Sequence, residues 1–545
     1  MTTKERYAVI SAVLAVAVLS SCGGSSSSQP PPPPPPVTYT IGGTVIGLSG
    51  SGLTLQDNGR DNLQISANGT FTFVTAIDSG SKYNVTVLTQ PATPAQNCTV
   101  TNNSATVTAN VTNVEVVCVS DWIWVDGLTV ASTYGPGGST PPGNYPGARE
   151  DAETWTDPQG NFWLYGGDAN YAVTGGYARE PLSDLWEYKS GQWTLVSGTN
   201  AAGSPAVWGQ MGVADPGNTP GPRENAATWT DASGNIWLFG GANYNDLWKF
   251  TPSTSEWTWV GGSNVANQSG IYGTMGTPDS GNIPGARSSA VSWTDASGDF
   301  WLFGGGGLDS AGTAGVLNDL WKYSPSTAEW TWICGSNLAN QSGTYGTMGT
   351  ADPANIPGQR FAAVGWADPS GNFWLFGGMY WISTGVGSAT GANYSDLWEY
   401  NPSSNQWTWM SGSNQIDQAG TYGTEGIASS GNAPGGRFSS VSWTDSHGNL
   451  WLFGGYGAGG FGGGTLNDLW MYSGGQWTWM GGSTTGYQPG VYGTQGVAAA
   501  GNTPGARTDA FGWTDKQGNL WLFGGLGTDS TGTAGWLNDF WEYQP

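Results

Sequence analysis

The stretch WTDASGNIWLFGG occupies residues 229–241, and five close copies recur along the chain. They are WTDPQGNFWLYGG from Trp155, WTDASGDFWLFGG from Trp293, WADPSGNFWLFGG from Trp366, WTDSHGNLWLFGG from Trp443 and WTDKQGNLWLFGG from Trp513. Each copy reads as two short strands around a TDxxGN turn, where Gly supplies the positive φ of a tight hairpin loop. Working outward, PGxR and an alternating strand lead into each copy. A loop of variable length, LNDLWxY, a short turn and WTWxxG follow it. One cycle therefore holds four strands, a to d. The arginines of PGxR stand at Arg149, Arg223, Arg287, Arg360, Arg437 and Arg507, 64 to 77 residues apart. A four-stranded unit repeated at such a period predicts propeller blades, here six.

Three marks of each cycle resemble the kelch repeat: GG after strand b (Gly240–Gly241), an aromatic on c (Phe250, or Tyr323) and a Trp on d (Trp257). The resemblance runs from Asp121 to Pro545 and implies a six-bladed kelch-type β-propeller. Two features depart from it. The period exceeds the kelch value of about 50 residues, through a recurring d–a segment such as NQSGIYGTMGTPDSGNIPGAR, and strand a lacks a His. The last cycle stops at LNDFWEYQP without a WTW strand, whereas DWIWVDG near the start of the array offers Trp122 and Trp124 in the places of Trp257 and Trp259. Residues 121–126 are expected to pair with strand c of the last cycle, near Leu537 to Tyr543. That pairing would close the ring and remove exposed sheet edges.

Upstream, residues 38–119 alternate apolar and polar residues at period two between Gly, Asn and Ser turns. This predicts a small antiparallel β-sandwich, similar to the Ig-like or carboxypeptidase-regulatory-like modules of bacterial surface proteins. Residues 1–21 carry Lys4 and Arg6 ahead of an apolar run, as a signal peptide does. LSSC, ending at Cys22, resembles a bacterial lipobox and implies lipidation of Cys22; an ordinary cleaved signal is the alternative. Residues 22–37, GGSSSSQPPPPPPP and its flanks, read as a flexible then stiff tether. Cys98 and Cys118 lie in one β-rich segment and are expected to pair in an oxidising compartment. Cys334, where sister repeats have Gly or Ser, reads as a replacement for a small residue.

The chain is strongly acidic, with 39 Asp and Glu against 15 Lys and Arg in 545 residues. A nucleic-acid partner is excluded, since phosphate binding needs clustered cations. The single His, His447, sits in an a–b turn. Galactose oxidase shares the kelch fold and binds copper, but imidazole is the usual copper ligand and one turn His cannot build that site. No catalytic, metal or cofactor motif is found, and no blade-unique acidic pair can be placed in the central channel. The recurrent turn Asp residues (Asp157, Asp231, Asp295, Asp368, Asp445, Asp515) read as Asx caps, with calcium as the rival reading.

Binding specificity is expected in the b–c loops, which differ between cycles. The fourth, MYWISTGVGSATGANY, carries Tyr380 and Trp381. The six arginines admit two readings. They could pair with the Asp that opens strand c (Asp184, Asp246, Asp319, Asp396, Asp468, Asp539), tying a to c. They could instead form a cationic ring that attracts an anionic ligand such as an acidic sugar. The expectation is a monomeric, exported, lipid-anchored protein at the outer membrane or cell surface, with the periplasm as alternative. It would bind a glycan or a protein without catalysis. The rival is a periplasmic sugar-acting enzyme of the sialic-acid mutarotase kind, which kelch propellers include.

Overall fold

The computed structural model describes residues 34–132, 145–173, 176–198, 204–385, 388–460, 462–499 and 501–545. The residues read as a signal peptide (1–21), Cys22 and most of those read as a tether (22–37) lie outside them. The described chain is all-β, built from many small sheets. Among the described residues there is no helix long and apolar enough to cross a membrane, a statement that does not bear on β-barrels.

Residues 38–120 form two four-stranded sheets and a two-stranded one over a common core of Ile41, Val45, Leu55, Tyr83, Val85, Val114 and Val116. The expected antiparallel order needs one correction. Ile41–Ile46 pairs in parallel with Val111–Ser120, because the strands between them fill other positions and return the chain in the same direction. Cys98 and Cys118 face each other on adjacent antiparallel strands and form a disulfide.

From Trp122 onward the chain makes six antiparallel units in the order a-b-c-d. In the second unit these are Ala227–Thr230, Ile236–Phe239, Leu247–Thr251 and Glu256–Gly261, with Ala214–Asp215 added beyond d. In the sixth unit strand d comes from the start of the array: Trp122–Asp126 pairs with Ala534–Tyr543, placing Trp122 opposite Tyr543 and Trp124 opposite Trp541. Strand a of each unit lies beside strand a of the next, and Phe511–Thr514 of the sixth lies beside Glu153–Thr156 of the first. The order of neighbours thus returns to its start, an arrangement compatible with a β-propeller.

The thirteen-residue motif supplies the contacts between units. Trp229 on strand a stacks on Phe300 of the next unit (ring centroids 5.2 Å apart, 13° between planes), and its Nε1 donates to the Trp301 carbonyl. Trp513 does the same across the junction of last and first units, against Phe162 and the Trp163 carbonyl. Such fully buried indoles supply most of the apolar surface that holds neighbouring sheets together. The GG pair puts a bulge into the b–c pairing of the third and sixth units. Gly304 and Gly305 have φ of +63° and +94°, and a Cβ on Gly304 would lie 2.8 Å from the Arg360 carbonyl of the next unit.

Beyond GG the units diverge. In the third and sixth, strands b and c run on as long hairpins (Phe300–Leu308 with Ala314–Ser324, Leu520–Thr528 with Ala534–Tyr543). In the first, fourth and fifth, the b–c loop forms a separate hairpin. The segments read from sequence as variable loops are therefore largely strands, because antiparallel pairing satisfies their backbone groups.

Candidate functional site

The six PGxR arginines end up inside the protein, each within contact of the Asp that opens strand c, and all twelve residues are buried. Arg287 is typical. Its Nη1 and Nη2 donate to the two carboxylate oxygens of Asp319 at 2.8 Å each, Nε donates to the Gly285 carbonyl and Nη1 also to that of Gly304. Asp319 further accepts from Tyr272 Oη and Trp321 Nε1. Arg149, Arg360, Arg437 and Arg507 repeat this bidentate geometry. Arg223 differs: it meets Asp246 through Nη2 alone, and Trp208 replaces the tyrosine. Among the described residues, Arg223 Nε and Asp246 Oδ1 have no hydrogen-bond partner.

The a–b turn aspartates are likewise occupied. Asp231 Oδ1 accepts the Ser233 and Asn235 amides, while Oδ2 accepts Asn235 Nδ2 and Trp237 Nε1. His447 belongs to the equivalent turn, where its amide donates to Asp445. Cys334 is half-buried, and burial pushes its thiol up to about 12, far from the thiolate range that reactivity requires.

The end of the units that carries the d–a and b–c loops holds an open groove of 820 Å³. The third unit supplies its floor through Gly306, Gly307 and Gly315. Asn243, Asn267 and Asn340 contribute amides, Ser288 and Ser289 hydroxyls, and Phe361 and Trp381 an aromatic flank. Gly315 is required there: a Cβ would stand 2.6 Å from the Asn340 amide, whose Oδ1 accepts the Val316 N–H. Trp381 lies on the separate b–c hairpin of the fourth unit, 6.1 Å from the Phe361 ring, and remains 56% exposed. Tyr380, the other residue singled out there, turns away and stacks on Tyr394.

A second feature lies at the centre of the same end. The residues two places after each PGxR arginine are Asp151, Asn225, Ser289, Ala362, Ser439 and Asp509, and all have φ between +52° and +59°. Their backbones form a head-to-tail circle: Asn225 N–H donates to the Asp151 carbonyl at 3.0 Å, Ser289 to Asn225 at 2.8 Å, Ala362 to Ser289 at 3.0 Å. Ser439 then donates to Ala362 at 2.8 Å, Asp509 to Ser439 at 3.1 Å and Asp151 to Asp509 at 3.4 Å. A cavity of 190 Å³ is lined by this circle.

The expectation that no unit-specific acidic pair reaches the centre is corrected here. Asp151 and Asp509 are neighbours in the circle, and Glu150, Asp168 and Glu224 lie close by. The guanidinium of Arg179 sits among four of these acids, with Nη2 at 2.8 Å from Asp151 and 3.4 Å from Glu224 and Nε against Asp168 and Glu150. Burial, then the charge of Asp509, pushes Asp151 up to about 8; burial, then Asp151, pushes Glu150 up to about 7. Below them Glu153 stands where the other units have Ala227, Val291, Val364, Val441 or Phe511. Burial holds it up at about 8. Its Oε1 accepts the Ala226 amide, and Oε2 has no partner among the described residues. The signal in the sequence is the residue pair after each arginine, ED in the first unit and TD in the last, against EN, SS, FA and FS elsewhere.

No family model matches this chain, and no curated protein is significantly similar to it.

Proposed function

We propose that the chain is an exported, lipid-anchored surface protein in which a small β-sandwich precedes a six-bladed kelch-type β-propeller, and that the propeller binds a glycan without catalysis. The circular order of the six strands a and the placement of Trp122–Asp126 as the last strand d support the propeller. The disulfide fits an exported protein, and Cys22 in LSSC supplies the anchor site. The observation that carries the binding reading is the exposed Trp381 beside an amide-lined groove. A large indole left 56% open on a loop hairpin is stabilised by covering its face, and a sugar ring offers a C–H face of that size.

The test is a glycan array probed with the wild-type chain and with Trp381→Ala. Retention on a defined subset of glycans, lost in the variant, is expected; no retention on any glycan would overturn the reading. A second reading, an enzyme acting on a sugar, draws on Asp151 and Asp509. They are adjacent carboxyls at the lined cavity, with Asp151 held partly protonated near neutral pH, which suits proton transfer.

A further inference from the structure

We infer that the groove takes a neutral oligosaccharide and rejects acidic ones. This rests on the glycan-binding reading and names the ligand class. Among the described residues, the groove is lined by amides, hydroxyls, glycines, aliphatic groups and two aromatic rings, and by no charged side chain. Amides and hydroxyls both donate and accept, which matches the mixed demand of sugar hydroxyls. They offer nothing to neutralise a uronate or sialate carboxylate. Desolvating such a group against an uncharged wall is unfavourable.

Among the described residues, no cation near the groove alters that balance. The six PGxR guanidiniums are buried against their aspartates. Arg179, on the same end, is held among Glu150, Asp151, Asp168 and Glu224. Lys322 pairs with Asp299 of an a–b turn, at the opposite end of the strands. The net charge of −24 adds a repulsive field for any anion. The Asn340 side chain is held by accepting the Val316 N–H, and the backbone at Asn267 by its N–H donating to the Asn243 carbonyl, so this part of the polar wall is preorganised. Trp381 supplies the stacking face.

The experiment titrates the full chain with neutral hexasaccharides (cellohexaose, xylohexaose, maltohexaose, chitohexaose) and with acidic probes (hexagalacturonate, 3′-sialyllactose) by calorimetry, at 20 and 500 mM NaCl. The expected result is binding of at least one neutral probe with an affinity that salt leaves unchanged, and no binding of the acidic ones. Trp381→Ala and Asn340→Ala, each verified as folded by its melting temperature, should weaken it about tenfold. Acidic probes binding as tightly as neutral ones, weakened by salt, would overturn the ligand class while leaving the glycan reading intact. Neutral binding untouched by both substitutions would remove the groove as the site. Absence of binding by every probe would sink the glycan reading and the inference together.

Discussion

Arg287 and Asp319 make four hydrogen bonds with each other and with backbone carbonyls in a site closed to water. Removing one partner of such a pair leaves a buried charge uncompensated, at a cost of about 3–5 kcal/mol. Arg287→Ala should therefore lower stability in chemical denaturation by that amount. Arg223, which meets Asp246 through a single nitrogen and leaves Nε unused, should cost distinctly less when replaced by Ala. Equal losses for the two variants, or none for Arg287→Ala, would show that the bidentate geometry is not what stabilises the units.

At the scale of the element, strand Trp122–Asp126 is the sixth unit's fourth strand. Trp122 packs among Trp443, Phe453, Trp541 and Tyr543 and so covers both its own unit and the fifth. Asn502 Nδ2 donates to the Trp122 carbonyl, and Gly496 N–H to that of Trp124, tying the last d–a segment to this strand. Deleting 121–127 removes these bonds and bares the edge of Ala534–Tyr543, an aggregation hazard. A sharply lower melting temperature and concentration-dependent light scattering are expected. A deletion variant with unchanged melting and solubility would refute the role of this strand.

Across the whole molecule, the acids of the first unit make stability depend on pH. An unfolded Glu or Asp releases its proton near pH 4, whereas the folded chain holds those of Glu153 and Asp151 to about 8 and that of Glu150 to about 7. The folded state therefore binds more protons between pH 4 and 8. The stabilisation is complete below pH 4, declines through that window and is lost above pH 8. Melting temperature should fall between pH 5 and pH 8. Glu153→Gln should be the more stable protein at pH 8 by about 1–3 kcal/mol and equal to wild type at pH 4. A wild-type melting temperature that rises over this interval would contradict the assignment.

Much of this was legible in the chain itself. Thirteen residues written six times specify the a–b hairpin, its Asx turn and the indoles that join units, since those interactions depend on neighbours a few residues away or on the same position of the next repeat. The displaced WTW strand was likewise readable, because Trp122 and Trp124 keep the repeat's own pattern. The fate of the arginines was not. Whether a guanidinium faces solvent or an aspartate about 30 residues on depends on how strands a and c stand in the sheet, and the sequence admits both. Nor could spacing join Asp151 to Asp509, over 350 residues apart, or bring Asn243, Asn340 and Trp381 from three units around one groove. Only the packing of neighbouring sheets puts those residues side by side, and for Asp151 and Asp509 it is the contact of the sixth unit with the first.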